Sequence, residues 1–381
     1  MAHDLGIARS TVVGAYEQLA VEGYLVARQG GSTVVAQIAI PAQAIVDRNP
    51  MGDQPTHDFR PGEPALGSFP RREWLRSVRT VLLESADDAF GYGDPRGRRE
   101  LRDALADYLA RSRMVHVDSS AVRVHGGFAS SLGFVAEMFR RRGIDLIAVE
   151  APMLFFHRQI LELAGLETVP VPVDEHGLRV DDLGASGVRA VLVTPGNQQP
   201  LGVTMSSARR NALITWAAVN DGWIVEDGYD GEFRYDRRPI GALQGLDADR
   251  VLYAGTASKS MGPGLHLSWF VVPLELRRDL DAVTHLRGGV STIDQLALAD
   301  FIGRGAYDRQ VRLQRRIYRQ RRSVMLEQLR GVPWLDVAPG SAGLHLVGHH
   351  RPGLVINVSR PANHHFATAT EKLLAVLREV G

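Results

Sequence analysis

Near the start of the chain, Val12, Val13, Tyr16, Leu19 and Leu25 recur at the spacing of one helix face. Ser10 and Thr11 offer an N-terminal cap for that helix, and Gly23 can end it. Residues 2–6 read as the rear of a preceding helix, joined to it by a Gly6-Ile7 turn. The β-rich stretches Tyr24–Ala27 and Ser32–Val35 flank Arg28-Gln29-Gly30-Gly31, a hairpin signal with glycines where positive φ is needed. The order predicts a partial winged helix-turn-helix over residues 1–36. Residues 37–57 then turn to Ala, Pro, Asn, Gly and Asp without lasting periodicity, which predicts a linker.

From residue 58 to 381 helical patterns such as Arg98–Arg113 alternate with short apolar, β-rich runs. These are Leu146–Val149, Ala190–Val193, Trp223–Val225 and Arg250–Ala254. Alternation of this kind predicts an α/β domain with a mostly parallel sheet between helix layers. Ligands of such sheets gather at the carboxyl ends of the strands, so the residues just after each run deserve scrutiny.

Composition narrows the class without naming it. With 381 residues, 45% hydrophobic and 23% charged, the chain can bury a large sheet and is expected to hold two or three units. Its 44 basic and 43 acidic residues leave a net charge of +1, so any DNA contact must come from a local patch. The absence of cysteine removes disulfides, thiolate metal sites and cysteine nucleophiles. No apolar run approaches the roughly 18 residues of a membrane span and no basic-then-apolar leader opens the chain, so a soluble, cytoplasmic protein without membrane contact is expected.

The strand ends carry the chemistry. After the second run comes Thr194-Pro195-Gly196-Asn197-Gln198-Gln199-Pro200-Leu201-Gly202, after the third Glu226-Asp227-Gly228-Tyr229, and after the fourth Gly255-Thr256-Ala257-Ser258-Lys259. An amide, a carboxylate with a tyrosine, and a lysine are the groups that pyridoxal 5′-phosphate (PLP) requires. The lysine amine condenses with the aldehyde, the carboxylate keeps the pyridine nitrogen protonated, and donors near the phenolic oxygen tune the aldimine.

Together with His57-Asp58-Phe59-Arg60-Pro61-Gly62, Phe69-Pro70, Trp74 and Gly91-Tyr92-Gly93-Asp94-Pro95-Arg96-Gly97, these motifs closely resemble the MocR subfamily of GntR-type bacterial regulators. Proteins of that family join a winged helix-turn-helix to a type I aminotransferase-like domain. The resemblance implies a PLP-dependent transferase type I fold, with a large part at about 58–300 and a shortened small α+β subdomain at about 301–381. By position it makes Lys259 the Schiff-base lysine, Asp227 the pyridinium partner, and Tyr229 and Asn197 the neighbours of the phenolic oxygen. It gives Ser258, Ala129, Ser130 and Gly127 to the phosphate within one subunit and Tyr92 to the phosphate of the other, which implies a homodimer. Arg9, Ser10 and Thr11 become the residues that meet DNA.

Some positions depart from the family. His266 stands where an arginine usually pairs with the phosphate, Ala129-Ser130 replaces a glutamine pair, and Leu154 takes the place of an aromatic, with Phe155 one step away. Between Leu346 and Pro352 the small subdomain is shortened, and Val355 takes the position of the substrate-carboxylate arginine, for which Arg351 or Arg360 are the available substitutes. Residues 2–6 resemble the end of the head's first helix, so the rest of that opening helix is expected to be missing. Arginine-dense Arg304–Arg330 reads as a solvated helix of the aminotransferase-like region rather than a DNA-binding stripe, and adjacent His349-His350 and His364-His365 are not expected to hold metal. Two functions stay open: a PLP-dependent regulator that senses PLP or its adduct with a small amino acid or amine, and an aminotransferase acting through Lys259 with weak or no turnover.

Overall fold

A computed structural model describes residues 2, 6–22, 24–26, 33–36, 57–184, 186–235, 240–285, 287, 289–338, 342–349 and 354–380. The chain divides into two units, 1–55 and 56–381. The first holds helix α1 (Arg9–Val21) and two short antiparallel strands, β1 (Leu25–Val26) and β2 (Val34–Val35), in the register Leu25↔Val35 and Val26↔Val34. The Arg28–Gly31 turn, Gly23 and almost all of the 37–57 linker lie outside the described residues. The expected cap is corrected. Gly6 turns the chain at positive φ, Ala8 is the extended residue before the helix, and no side chain caps it. Because the backbone is already helical at Arg9, Ser10 and Thr11 sit inside the first turn rather than ahead of it.

In the second unit, helices α2 (Arg71–Glu84) and α3 (Arg99–Arg113) precede β3 (Val122–His125), α4 (Phe128–Arg141), β4 (Leu146–Ala151) and α5 (Phe155–Leu163). There follow β5 (Glu167–Asp174), β6 (Gly177–Leu178), α6 (Asp181–Gly184), β7 (Ala190–Val193), α7 (Ser207–Val219), β8 (Trp223–Asp227), β9 (Val251–Thr256) and β10 (Ser268–Val271). Helices α8 (Leu274–Thr284), α9 (Thr292–Gly303) and α10 (Ala306–Leu329) lead into β11 (Asp336–Ala338), β12 (His345–His349), β13 (Leu354–Asn357) and α11 (Phe366–Val380).

The large sheet runs β3-β10-β9-β8-β7-β4-β5-β6. Its centre, β5-β4-β7-β8-β9, is parallel, as the alternation predicts. Strand β10 is antiparallel to both neighbours. Residues 257–267, which join it to β9, are too few for the helical crossover that a parallel return requires. The central strands are buried on both faces, so their side chains divide by parity. Leu192, Trp223, Val225 and Leu252 pack toward α4 and α8, whose Leu132, Val135, Phe139, Leu276 and Leu280 form one core layer. Val191, Val193, Ile224 and Val251 face α7, whose Leu213, Trp216 and Ala217 form the other. A third core joins α3 and α9 to β3 and β10 through Leu101, Leu105, Val124, Trp269, Leu298 and Phe301.

The small subdomain is α+β. Antiparallel β11-β12-β13 lies against the end of α10 and against α11, with Met325, Leu329, Leu346, Ile356, Phe366 and Leu374 at its centre. Arginines of α10 divide between two sides. Arg315, Arg321 and Arg322 donate inward to main-chain carbonyls, whereas Arg309, Arg312, Arg316 and Arg319 are exposed.

Candidate functional site

Parallel strands aim their carboxyl ends at one edge of the sheet, and the three motifs meet there. Asp227 is the last residue of β8, Tyr229 lies two residues beyond it, and Ser258 and Lys259 leave β9 through the connection that also carries His266. Across from them Gly127, at φ +83°, begins α4. The first-turn N–H groups of a helix have no intrahelical acceptor, and here they carry Ala129 and Ser130 to the same place.

A cavity of about 320 Å³ is lined by Gly127, Ala129, Ser130, Asp227, Tyr229, Ser258, Lys259 and His266. That is the size range of small-ligand pockets. Leu154 also lines it, while Phe155 is 71% exposed and does not; the next residue, Phe156, and Phe128 of α4 bring phenyl rings to the cavity. His266 adopts a left-handed backbone and stands over Gly127, where a Cβ would come within 3.3 Å of its Nδ1. Two predicted residues lie elsewhere. Asn197 is buried behind Tyr229 and does not line the cavity. Tyr92 is fully exposed beside a separate depression with Gly93, Asp94 and Arg98. Arg9, Ser10 and Thr11 are exposed on the first turn of α1.

The electrostatics of the cavity are those of charges held away from water. Asp227 is buried, and the Tyr229 N–H donates to its Oδ1 at 3.0 Å. Burial above all, then the nearby Asp230 carboxylate, push the Asp227 carboxyl up to about 8, against the opposing pull of Lys259. Burial lowers the Lys259 ammonium, with Asp227, Asp230 and Glu63 acting in the other direction. Lys259 Nζ donates to the Gly62 carbonyl and lies 6.0 Å from the centre of the Tyr229 ring. The segment carrying Gly62 is tied down in turn. Arg360 pairs with Asp58 at 2.9 Å and Glu63 at 3.1 Å, and Asn357 donates to the carbonyls of Arg60 and Glu63. Arg360 is therefore committed to two carboxylates of its own chain, and Arg351 lies outside the described residues.

Several participants carry no signal in the sequence. Thr256, Gln199 and His157 line the cavity, and His157 is a buried imidazole held near 4 by desolvation, between Phe128 and Phe156. Beneath, Glu150 at the end of β4 accepts from the Thr194 N–H and hydroxyl and is pushed up to about 7 by burial. Asp230, next to Tyr229, accepts from Asn197 Nδ2 at 2.7 Å, and the same nitrogen reaches Tyr229 Oη at 3.0 Å. Only the Tyr-Asp adjacency could have pointed to Asp230.

Gly343 closes over this network at φ +83°. A Cβ there would lie 2.1 Å from Asn197 Nδ2 and 3.1 Å from Asp230 Oδ2. Gly343→Ala is expected to destabilise the protein by about 2–4 kcal/mol, combining the left-handed backbone with overpacking. A lower urea midpoint at unchanged slope would be the result.

The aminotransferase class I and II family pattern matches residues 62–379. The chain is 35% identical over 373 residues to the probable rhizopine catabolism regulatory protein MocR of Rhizobium meliloti, spanning 91% of this chain and 75% of that one. It is 32% identical to the HTH-type pyridoxine biosynthesis transcriptional regulator PdxR of Corynebacterium glutamicum, over 91% of this chain and 76% of that one. Among solved structures an archaeal alanine:glyoxylate aminotransferase superposes with a TM-score of 0.78 at 24% identity, covering 86% of this chain and 92% of that one, a likeness of fold.

Proposed function

Since the chain belongs to the aminotransferase class I and II family and to the MocR group of transcriptional regulators, we propose that it is a DNA-binding regulator that carries its cofactor on Lys259. The cofactor of this fold is PLP. When bound, PLP supplies an aldehyde open to primary amines and a ring that withdraws electrons once its nitrogen is protonated. The observation that supports the reading most is that Lys259, Asp227 and Tyr229 face one cavity in a chain of which regulators cover nine-tenths.

The residues present fit that cofactor. Lys259 offers an amine whose proton affinity burial has lowered, which makes it a better nucleophile. Asp227 is a buried acid that gains by facing a cationic ring nitrogen instead of remaining alone. Gly127, Ala129 and Ser130 bring helix N–H groups, and Ser258 a hydroxyl, to a phosphate, with His266 beside them. The N-terminal unit, with Arg9, Ser10 and Thr11 exposed at the start of α1, supplies groups suited to a major groove. A homodimer would put Tyr92 of one protomer at the cavity of its partner. No described helix is long and apolar enough to cross a membrane. The signal is the state of the cofactor, PLP itself or its adduct with a small amino acid or amine, shifting the population of DNA-binding conformations.

The test starts from duplexes selected out of a random pool by the protein expressed from its complete reading frame. Adding PLP, then candidate amines, is expected to change the affinity for the selected duplex about fivefold or more. Failure to enrich any duplex, combined with sustained keto-acid production from amino acids, would establish an aminotransferase instead.

A further inference from the structure

The chain as a whole is close to neutral, so a surface that meets a polyanion has to be local, and helix α10 carries one. Arg309, Arg312, Arg316 and Arg319 are exposed and recur at intervals of three, four and three residues, which lays them along one face. At 1.5 Å of rise per residue that face is about 15 Å long. Exposure is what any solvated helix shows; the further observation is the missing counter-charge. On α3, α4 and α5 exposed arginines pair with an acid one turn away, as Arg99 does with Asp103, Arg141 with Glu137 and Arg158 with Glu162. Residues 309–326 hold no acid. Asp308, just before them, lies 3.9 Å from Arg111, and Glu327, just after, pairs with Arg330. Among the described residues Arg312, Arg316 and Arg319 form no ion pair, and Arg309 donates to the Arg304 carbonyl. The inward arginines of the same helix, Arg315, Arg321 and Arg322, are met by main-chain carbonyls, which satisfy their N–H groups without cancelling their charge. Like charges at these spacings repel one another and weaken a helix. Packing gives no reason for them, because the buried face of α10 is made by Val311, Gln314, Tyr318 and Met325.

We propose that the exposed arginine face of α10 is a second contact for DNA, made by the aminotransferase-like unit with the phosphates of the duplex. The inference rests on the proposed DNA binding and adds a surface to it. One strand of a duplex presents a phosphate about every 3.4 Å along the axis, so the length of the face corresponds to about four phosphates. Guanidinium groups suit that role, since each can grip a phosphate with two parallel hydrogen bonds and gives up its water readily. Phosphates carry no sequence information, so the contact adds affinity and leaves the choice of sequence to the N-terminal unit. An acidic protein segment or an anionic lipid surface would be drawn to the same charges. DNA is the partner the chain itself favours, because a unit suited to a major groove is joined to this one and keeps a bound duplex at high local concentration.

The experiment measures affinity for the selected duplex, and for a scrambled one, across a range of salt concentrations, with protein expressed from the complete reading frame. In the variant that combines Arg312→Gln, Arg316→Gln and Arg319→Gln, affinity near 0.1 M salt is expected to fall about tenfold or more, and the slope of log affinity against log salt to shrink by about two or more. The loss should be equal for both duplexes, so the preference between them stays. A control that combines Arg99→Gln, Arg141→Gln and Arg158→Gln removes the same number of charges from paired positions, and its slope is expected to move by less than about one. Equal slopes for the two variants, or a loss confined to the selected duplex, overturn the proposal. Unchanged DNA binding together with lost adsorption to vesicles of phosphatidylcholine and phosphatidylserine would assign the face to a membrane surface and overturn it as well. Should the triple variant not fold, Arg316→Glu alone decides, with an expected slope change of about one or more. Failure of the parent to bind any duplex overturns the DNA-binding reading and this inference together, whereas binding whose salt slope ignores α10 overturns this inference alone.

Discussion

Lys259→Ala protein mixed with PLP is expected to show no lysine-linked absorbance and no cofactor fixed by borohydride, against complete fixation in the parent. The expectation is all or none because it concerns a covalent bond. Lys259 is the one lysine in the cavity lining, and the rest of that lining holds no second primary amine among the described residues. The fold should survive the change, since among the described residues the Lys259 ammonium hydrogen-bonds to the Gly62 carbonyl and takes part in no core cluster. Urea unfolding is therefore expected to move by less than about 1 kcal/mol. Fixation at another lysine, with unaltered yield, would refute the assignment of Lys259.

Asp227→Asn is expected to act in opposite directions on the loaded and the empty protein. With PLP placed as proposed, replacing the carboxylate would remove a charge-assisted hydrogen bond to the ring nitrogen, about 1.5–3 kcal/mol, or roughly a tenfold to hundredfold loss of affinity. Without PLP the variant should be the more stable protein above about pH 4. The carboxyl titrates near 3.8 when exposed and at about 8 in the fold. Between those values the unfolded chain has released a proton that the native state keeps, so stability falls as pH rises. The penalty is absent below about pH 4 and grows through the window by up to about 1.4 kcal/mol per pH unit. Urea midpoints of the two empty proteins should coincide near pH 4 and separate toward pH 8, the asparagine variant above. Midpoints that stay together across the range would show that Asp227 is not held in its raised state.

Much of the site was legible because strand ends do the assembling. Runs of apolar residues marked β7, β8 and β9, and the rule that parallel strands present ligands at their carboxyl ends brought Asp227, Tyr229, Ser258 and Lys259 to one cavity from positions far apart in the chain. Gly127 was legible for a similar reason, as a glycine at a strand-to-helix turn. What escaped depends on where a side chain turns, which period and composition do not encode. Asn197 points behind Tyr229 instead of into the cavity, and His157 enters it from a helix turn beyond the aromatic position. Arg360 is committed to Asp58 and Glu63, far away in sequence, which only folding brings near. Ser10 and Thr11 resemble a cap by type, yet the helix begins at Arg9, ahead of both, and Ala8 holds the cap position. The antiparallel β10 escaped too, although it is as long as β7, because no helical pattern stands between it and β9 to complete the alternation.

The contact between Lys259 and the Gly62 carbonyl has a mechanical side. An ammonium has three protons to give, and a nitrogen joined to a carbon by a double bond has at most one, already claimed by its own conjugated partner. If Lys259 carries the cofactor as proposed, the Gly62 carbonyl loses this donor, on a segment otherwise held by Arg360 and Asn357. Chemistry at one nitrogen would then be felt in the main chain of residues 58–63.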